Sequence, residues 1–389
     1  MDDILNLKTE EIAGLCFDCS CGRRHEVGIR NIIAGTGVLG RITEVASEFK
    51  HGRIFIIADN NTYSICSKNI EELLCQKGFD AYSYVFTGEH PLVPDEKALG
   101  RLIIEVAENT SLIVAVGSGT INDLARMVSF KLAIPYVIIG TAPSMDGYAS
   151  VVSPLIVGGT KVTFQAVYPY AIIADANILK EAPMQMLQAG FGDILGKLTA
   201  LADWELARRL NNEYYCQTTV NVVKTALLKC RNNIEGMVRR DETAIMYLME
   251  ALILSGVAIG LIGNSRPASG AEHHMAHYWE VDAIKQGIDH PLHGNSVGTA
   301  AVVVSMLYKM MKERLPAGME TPEPEEIIGL LERTGAAADP AKLGIDKELF
   351  RRSVIHAMEI RPRFTIFNFT QEAGLLVKYA DELTQRFYA

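Results

Sequence analysis

Leu112–Val116 is an unbroken apolar run that stops at Gly117-Ser118-Gly119-Thr120, and Ile121–Leu132 behind it has helical spacing. A strand apolar on both faces belongs inside a parallel sheet covered by helices. This stretch therefore points the chain to an α/β architecture. A strand, a glycine turn and a helix start together present backbone N–H groups to a phosphate, and glycine lets the backbone approach closely. The third glycine of a GxGxxG fingerprint is absent. Asp123, in the first turn of the expected helix, has two readings: a helix cap or a partner for a polyol hydroxyl.

The same texture surrounds this stretch. Residues 27–36, Arg53–Ala58, Ala81–Phe86, Pro135–Gly140 and Ala171–Ala174 read as strands. Leu39–Phe49, Ile70–Lys77 and Asp95–Asn109 read as helices between them. Asp59 closes the second strand, where a carboxylate can take both ribose hydroxyls of an adenosine or simply end the strand in a turn. Thr141, Ser144, Asp146 and Ser150 place small polar groups after the Pro135–Gly140 strand, where open α/β sheets bind ligands.

From Pro183 onward the strand-like runs stop. Met184–Glu205, Thr218–Asn233, Thr243–Ile262, Glu325–Thr334, Lys347–Met358 and Gln371–Tyr388 all read as helices. With 389 residues, two domains are expected: an α/β nucleotide-binding domain over 1–182 and an all-α domain over 183–389. The first 26 residues are expected to form an irregular arm containing cysteines. Within it, Cys16, Cys19, Cys21 and His25 could bind zinc or iron, although four ligands in ten residues would need a tight knuckle.

With a net charge of −9 and no basic run, nothing in the sequence suggests nucleic acid, and no nucleic-acid partner is expected. The longest apolar run, Ala251–Gly263, suits a buried helix and is too short to span a bilayer. The acidic start lacks the apolar core of a signal peptide. Together with the odd number of cysteines, seven, this gives the expectation of a cytoplasmic protein with free thiols and no membrane partner.

Five of the nine histidines fall between residues 273 and 293. If Ala271–Val281 is helical, His273 and His277, or His274 and His277, lie one turn apart on one face. His293 is expected in a loop marked by Asp289, Pro291 and Gly294. A helix pair plus a distant histidine builds a metal site open on one side. Asp193, beside Gly190 and Gly192 at an expected helix start, is either a cap or the carboxylate such a site lacks.

The order of the motifs resembles the bacterial sn-glycerol-1-phosphate dehydrogenases. They are GSGT after a buried strand, TAPSMDGYAS, the GDxxxKxTAxxDW stretch Gly192–Trp204, SRPASGAEH and LHGNSVG. That family sits in the superfamily of iron-containing alcohol dehydrogenases, glycerol dehydrogenases and dehydroquinate synthases. The resemblance implies a Rossmann-like parallel sheet followed by a helical domain, the dehydroquinate synthase-like fold, in a homo-oligomer of two or more copies. It implies a divalent metal, Zn²⁺, Ni²⁺ or Fe²⁺, on Asp193, His273 and His293, with His277 and Asp193 catalytic. It also implies NAD(H) in preference to NADP(H), on Asp59, Gly117, Ser118, Gly119, Thr120, Ile121, Thr141, Ala142, Pro143, Ser144 and Ser150. Substrate would meet Asp146, Asp123, His277 and, through its phosphate, Arg266, with Lys161 and Lys197 as secondary candidates. The implied reaction is the reversible NAD(P)H-dependent reduction of dihydroxyacetone phosphate. A polyol dehydrogenase without a substrate phosphate, a sugar-phosphate cyclase and a non-catalytic nucleotide-binding protein are the rivals.

Overall fold

The computed structural model describes residues 4, 7–88 and 91–389. The expected arm is not irregular. Its residues 1–3, 5 and 6 lie outside the described residues, but β1 (Cys16–Asp18) and β2 (Arg24–Glu26) pair as an antiparallel hairpin. The chain then alternates strands and helices through β3 (Asn31–Gly35), β4 (Arg53–Asp59), β5 (Ala81–Phe86), β6 (Thr110–Gly117) and β7 (Tyr136–Gly140). A second hairpin, β8 (Val152–Val157) with β9 (Thr160–Gln165), precedes β10 (Ala171–Asp175). The six longer-range partners form one parallel sheet in the order β3-β10-β7-β6-β4-β5.

Burial explains the strand sequences. Ile54–Ala58 of β4 and Leu112–Val116 of β6 are fully buried, as strands between two helical layers must be. Parallel pairing of Ile57 with Ala115 brings the C-terminal ends of β4 and β6, Asp59 and Gly117, side by side. The β8–β9 hairpin is an addition to the expected elements. Its turn is Gly158-Gly159, both at positive φ (58° and 74°), the glycine-glycine signature of a tight hairpin.

After β10 the described elements are helical. The helices that matter for the site are α1 (Gly119–Leu132), which follows β6, then α2 (Met184–Asn211), α3 (Gln217–Arg231), α4 (Glu242–Ile262), α5 (Ala271–Gln286) and α6 (His293–Met310). The last of these replaces the expected loop around His293. The expected Gln371–Tyr388 helix is two helices, Ile366–Glu372 and Leu376–Tyr388, parted at Gly374 with φ +72°. Helix α4 is long and apolar enough to cross a membrane, yet 78% of its apolar window is buried inside the fold.

Candidate metal and nucleotide site

Asp193 does not cap a helix. It lies inside α2, fully buried, with Gly190 and Gly192 just before it and Lys197 one turn after it. The glycines serve packing rather than helix initiation. A Cβ on Gly192 would come within 2.3 Å of the Gly294 carbonyl oxygen, and one on Gly294 within 1.8 Å of the Ala189 carbonyl oxygen. Helices α2 and α6 therefore touch backbone to backbone, as only glycine allows. That contact carries His293, the first residue of α6, toward Asp193.

His273 and His277 lie on α5, a helix turn apart. The His273 Nε2 is 3.6 Å from Asp193 Oδ1. The ring centres of His273 and His293 are 5.3 Å apart, and those of His277 and His293 are 5.0 Å apart and stacked. Each ring is fixed through its other nitrogen. His273 Nδ1 bonds Glu272 at 2.7 Å, His277 Nδ1 bonds Glu280 at 2.9 Å, and His293 Nδ1 bonds the second Glu280 oxygen at 2.6 Å. A carboxylate on Nδ1 turns Nε2 toward the centre, the usual arrangement behind a histidine ligand. Glu272 and Glu280 were not anticipated from the sequence. The signal was there: one acid adjoins His273, and the other lies one turn after His277.

A second grouping of potential donors, His277, Glu280 and His293, is also compact, with all three atoms within 4.8 Å. Glu280 already accepts from both imidazoles and pairs with Lys161 at 2.6 Å. Its chemistry is that of a support behind the ligands. One buried carboxylate and two imidazoles with inward Nε2 atoms fit a divalent cation. His274 is fully buried, and neither ring nitrogen has a hydrogen-bond partner among the described residues. Burial, with Arg363 and Arg361 nearby, pushes its pKa down to about 3, so it is neutral.

A lysine partly offsets the acids of the site. Lys197 is buried, not a surface group, and its ammonium lies 2.6 Å from Asp193 and 2.8 Å from Asp146. Burial opposes both charges, but Lys197 outweighs it and holds Asp193 far below the usual carboxylate range. Asp146 also accepts from Ser255 at 2.8 Å, and its backbone N–H donates to Asp193 at 2.9 Å. Burial and then Lys161 hold His277 well below the usual histidine value.

Arg266, expected to meet a substrate phosphate, is already engaged. It is 3% exposed, its Nε and Nη2 pair with both oxygens of Glu213, and Nη1 donates to the Phe364 carbonyl. The guanidinium fastens the segment before α5 instead. A cation that sequence reasoning missed lies closer: Arg361 donates to His277 Nε2 at 3.3 Å, the one hydrogen bond of its guanidinium among the described residues.

On the nucleotide side, Gly117 ends β6 and Ser118 precedes α1. A Cβ at Gly117 would come within 2.7 Å of Ile121 Cβ, whereas at Gly119 the nearest atom is Met145 Cγ at 3.5 Å. Close packing requires the first glycine, and Gly119 has no such constraint. Ile121, Thr141, Ala142, Ser144 and Ser150 are buried around this end of the sheet, and the Thr141 N–H bonds the Gly117 carbonyl. The Pro143 carbonyl packs against Gly190, where a Cβ would lie 1.9 Å away. Thr120 is half-buried. Asp59 Oδ1 accepts from the backbone N–H and the hydroxyl of Thr62, so it caps the following helix. Asp123 neither caps α1 nor stands free, because it pairs with the buried Arg126 at 2.7 Å. Burial pushes Asp123 up to about 6 although Arg126 opposes the rise.

Residues 33–183 match the family described as iron-containing alcohol dehydrogenase. A glycerol-1-phosphate dehydrogenase (NAD(P)+) of Halalkalibacterium halodurans is 36% identical over 388 residues, covering 93% of this chain and 97% of that protein. The chain belongs to the glycerol-1-phosphate dehydrogenase family. A member from Geobacillus stearothermophilus is 32% identical over 400 residues, covering 95% of this chain and 99% of its own. The fold of this family member also resembles the crystal structure of glycerol dehydrogenase from Schizosaccharomyces pombe. The TM-score is 0.70 with 18% identity, covering 91% of this chain and 90% of that one.

Proposed function

We propose that the chain is an NAD(P)H- and metal-dependent sn-glycerol-1-phosphate dehydrogenase, which interconverts dihydroxyacetone phosphate and sn-glycerol 1-phosphate. The observation that carries this reading is the set of buried Asp193 and His273 with the half-buried His293, carboxylates locking Nδ1 of both imidazoles. These three residues would hold the cation. When bound, a divalent cation would supply Lewis-acid polarisation of the substrate C2 oxygen, and the nicotinamide would carry the hydride.

The remaining residues bind and orient. Asp146 and Ser255, linked at 2.8 Å, offer an acceptor and a hydroxyl to a substrate hydroxyl group. His277, with Nδ1–H tied to Glu280, keeps a basic Nε2 for the proton that C2–OH gives up or takes. Arg361 and Lys161 supply the positive charge a phosphate needs next to that imidazole. The Asp59 and Gly117–Ile121 ends of the sheet, with Thr141–Ser144 and Ser150, would take the dinucleotide. Asp123 is held by Arg126 and is left out of the substrate contacts.

The strands end at Asp175 and α2 begins at Met184, which supports an α/β domain over 1–182 and a helical domain over 183–389. Seven free thiols support a cytoplasmic setting. The family resemblance supports an assembly of two or more copies.

The test is NADH oxidation by the purified, metal-loaded chain with dihydroxyacetone phosphate, followed by chiral analysis of the product. The expected product is sn-glycerol 1-phosphate, with a far lower rate on unphosphorylated dihydroxyacetone. Equal rates on both would favour the glycerol dehydrogenase reading, and sn-glycerol 3-phosphate would overturn the stereochemical one.

A further inference from the structure

The catalytic reading leaves the cysteine motif of the N-terminal hairpin without a task. The structure sorts its members. Cys16 is exposed and accepts a hydrogen bond from Arg24 Nε at 3.0 Å. Cys19, Cys21 and His25 instead converge with a residue far away in sequence, Cys216, which directly precedes α3. All four donor atoms lie within 4.8 Å of one another. Cys19 Sγ is 3.7 Å from Cys216 Sγ, Cys216 Sγ is 3.5 Å from His25 Nε2, and Cys21 Sγ is 3.3 Å from His25 Nε2.

These separations have a chemical meaning. Bonds of about 2.3 Å to sulfur and about 2.0–2.1 Å to nitrogen give a tetrahedral zinc site edges of roughly 3.5–3.8 Å. The three contacts above lie on or just inside such edges. A disulfide would require about 2.05 Å between sulfurs, so Cys19 and Cys216 are free thiols. His25 is oriented for coordination. Its Nδ1 bonds the Leu261 carbonyl at 2.8 Å, which puts the proton on Nδ1 and leaves the Nε2 lone pair for the sulfurs. His25 is 2% exposed and Cys216 is 0% exposed. A disulfide pair would have no use for a third thiol or an aimed imidazole.

The surroundings suit three thiolates. Thr218 Oγ1 lies 3.3 Å from Cys19 Sγ, and the Tyr214 hydroxyl lies 3.1 Å from Cys21 Sγ. Three thiolates, one imidazole and Zn²⁺ leave one net negative charge. The Arg23 guanidinium sits 3.5 Å over the Tyr214 ring, next to that charge.

We propose that Cys19, Cys21, His25 and Cys216 form a closed, structural zinc site that ties the β1–β2 hairpin to the start of α3. Four protein ligands leave no open position, so the site has no catalytic role. It steadies the segment whose Glu213 holds Arg266, and through it the approach to α5.

The full-length protein, purified without chelator, is expected to carry about two metal ions per chain by elemental analysis, one of them zinc. Cys21→Ser and Cys216→Ser should each lose the zinc and keep the other ion. Asp193→Asn should do the reverse, and Cys16→Ser should keep both. Cobalt-substituted Asp193→Asn protein should show a thiolate-to-cobalt charge-transfer band, which a carboxylate and imidazole site cannot give. The band also decides the matter if the serine variants fail to fold. Its absence, a zinc content unchanged in Cys21→Ser, or a native thiol count showing Cys19 joined to Cys216 would each overturn the proposal. Wild-type protein that carries the zinc yet lacks dehydrogenase activity would count against the catalytic reading alone.

Discussion

Arg361 donates to His277 Nε2 at 3.3 Å, while the same imidazole bonds Glu280 through Nδ1 at 2.9 Å. Arginine can only donate, so this pair fixes His277 as the Nδ1–H tautomer with its basic nitrogen facing the cation. A phosphate entering beside His277 would exchange that weak contact for charge-assisted bonds of roughly 1.5–3 kcal/mol each.

Arg361→Ala should therefore raise KM for dihydroxyacetone phosphate about ten- to a hundredfold and change kcat less. Its effect on unphosphorylated dihydroxyacetone should be small. Arg266→Ala should behave differently, because that guanidinium braces Glu213 and Phe364: both substrates should suffer alike, and the melting temperature should fall. Steady-state kinetics of the two variants on the two substrates check this. A phosphate-selective defect in Arg266→Ala would reverse the assignment.

Glu280 supports two histidines with one carboxylate. Glu280→Gln keeps the shape but removes the charge that orients His277 and His293 and pairs with Lys161. The expected outcome is metal affinity weakened by about 10–100-fold, measured by competition with a chromogenic chelator. Affinity unchanged from wild type would remove Glu280 from the metal's support.

The sheet was legible because strands such as β4 and β6 are buried on both faces and read as continuous apolar runs. The histidine spacing showed that, if Ala271–Val281 were helical, His273 and His277 would share a face, and the helix is there. Other parts were not, for physical reasons. Glycines 190 and 192 resemble a helix start by composition, and only their backbone contacts, Gly190 with Pro143 and Gly192 with α6, explain them. Cys216 completes a cluster 191 residues from His25, beyond any spacing rule. Arg361 has no motif around it, since a phosphate anchor needs only one well-placed side chain. Arg266 looked like that anchor until its half-buried partner, Glu213, was in view.

Asp203 gives a pH signature. It accepts from the Tyr308 hydroxyl and the backbone N–H groups of Ala271 and Ile366. Burial, then the nearby Glu272, push it up to about 7. An unfolded aspartate titrates near 3.9. The folded state thus holds the extra proton between about pH 4 and 7, and this group's contribution to stability falls as pH rises through that window, by at most about 1.4 kcal/mol per unit. The stability penalty of Asp203→Asn should accordingly shrink between pH 5 and 7 in denaturant titrations. A penalty constant across that range would show that Asp203 is already ionised.

Asp59 is expected to favour NAD(H), because its carboxylate would face a 2′-phosphate. Asp59→Ala should narrow the ratio of kcat/KM for NADH over NADPH. It should also cost about 1 kcal/mol through the lost cap on Thr62, readable as a lower melting temperature. A wild-type preference for NADPH would refute the ribose role and leave the cap.

The glycine contact between α2 and α6 acts as a one-sided stop. Gly192 and Gly294 already meet at backbone distance, so the separation between the main chains bearing Asp193 and His293 can grow but cannot shrink. A smaller ion could not be gripped by drawing the helices together; only the side-chain torsions or the length of the acid at position 193 could follow it. At a metal centre held by Asp193 and His293, two residues that carry no ligand atom would thus limit how closely the backbone could follow a smaller ion.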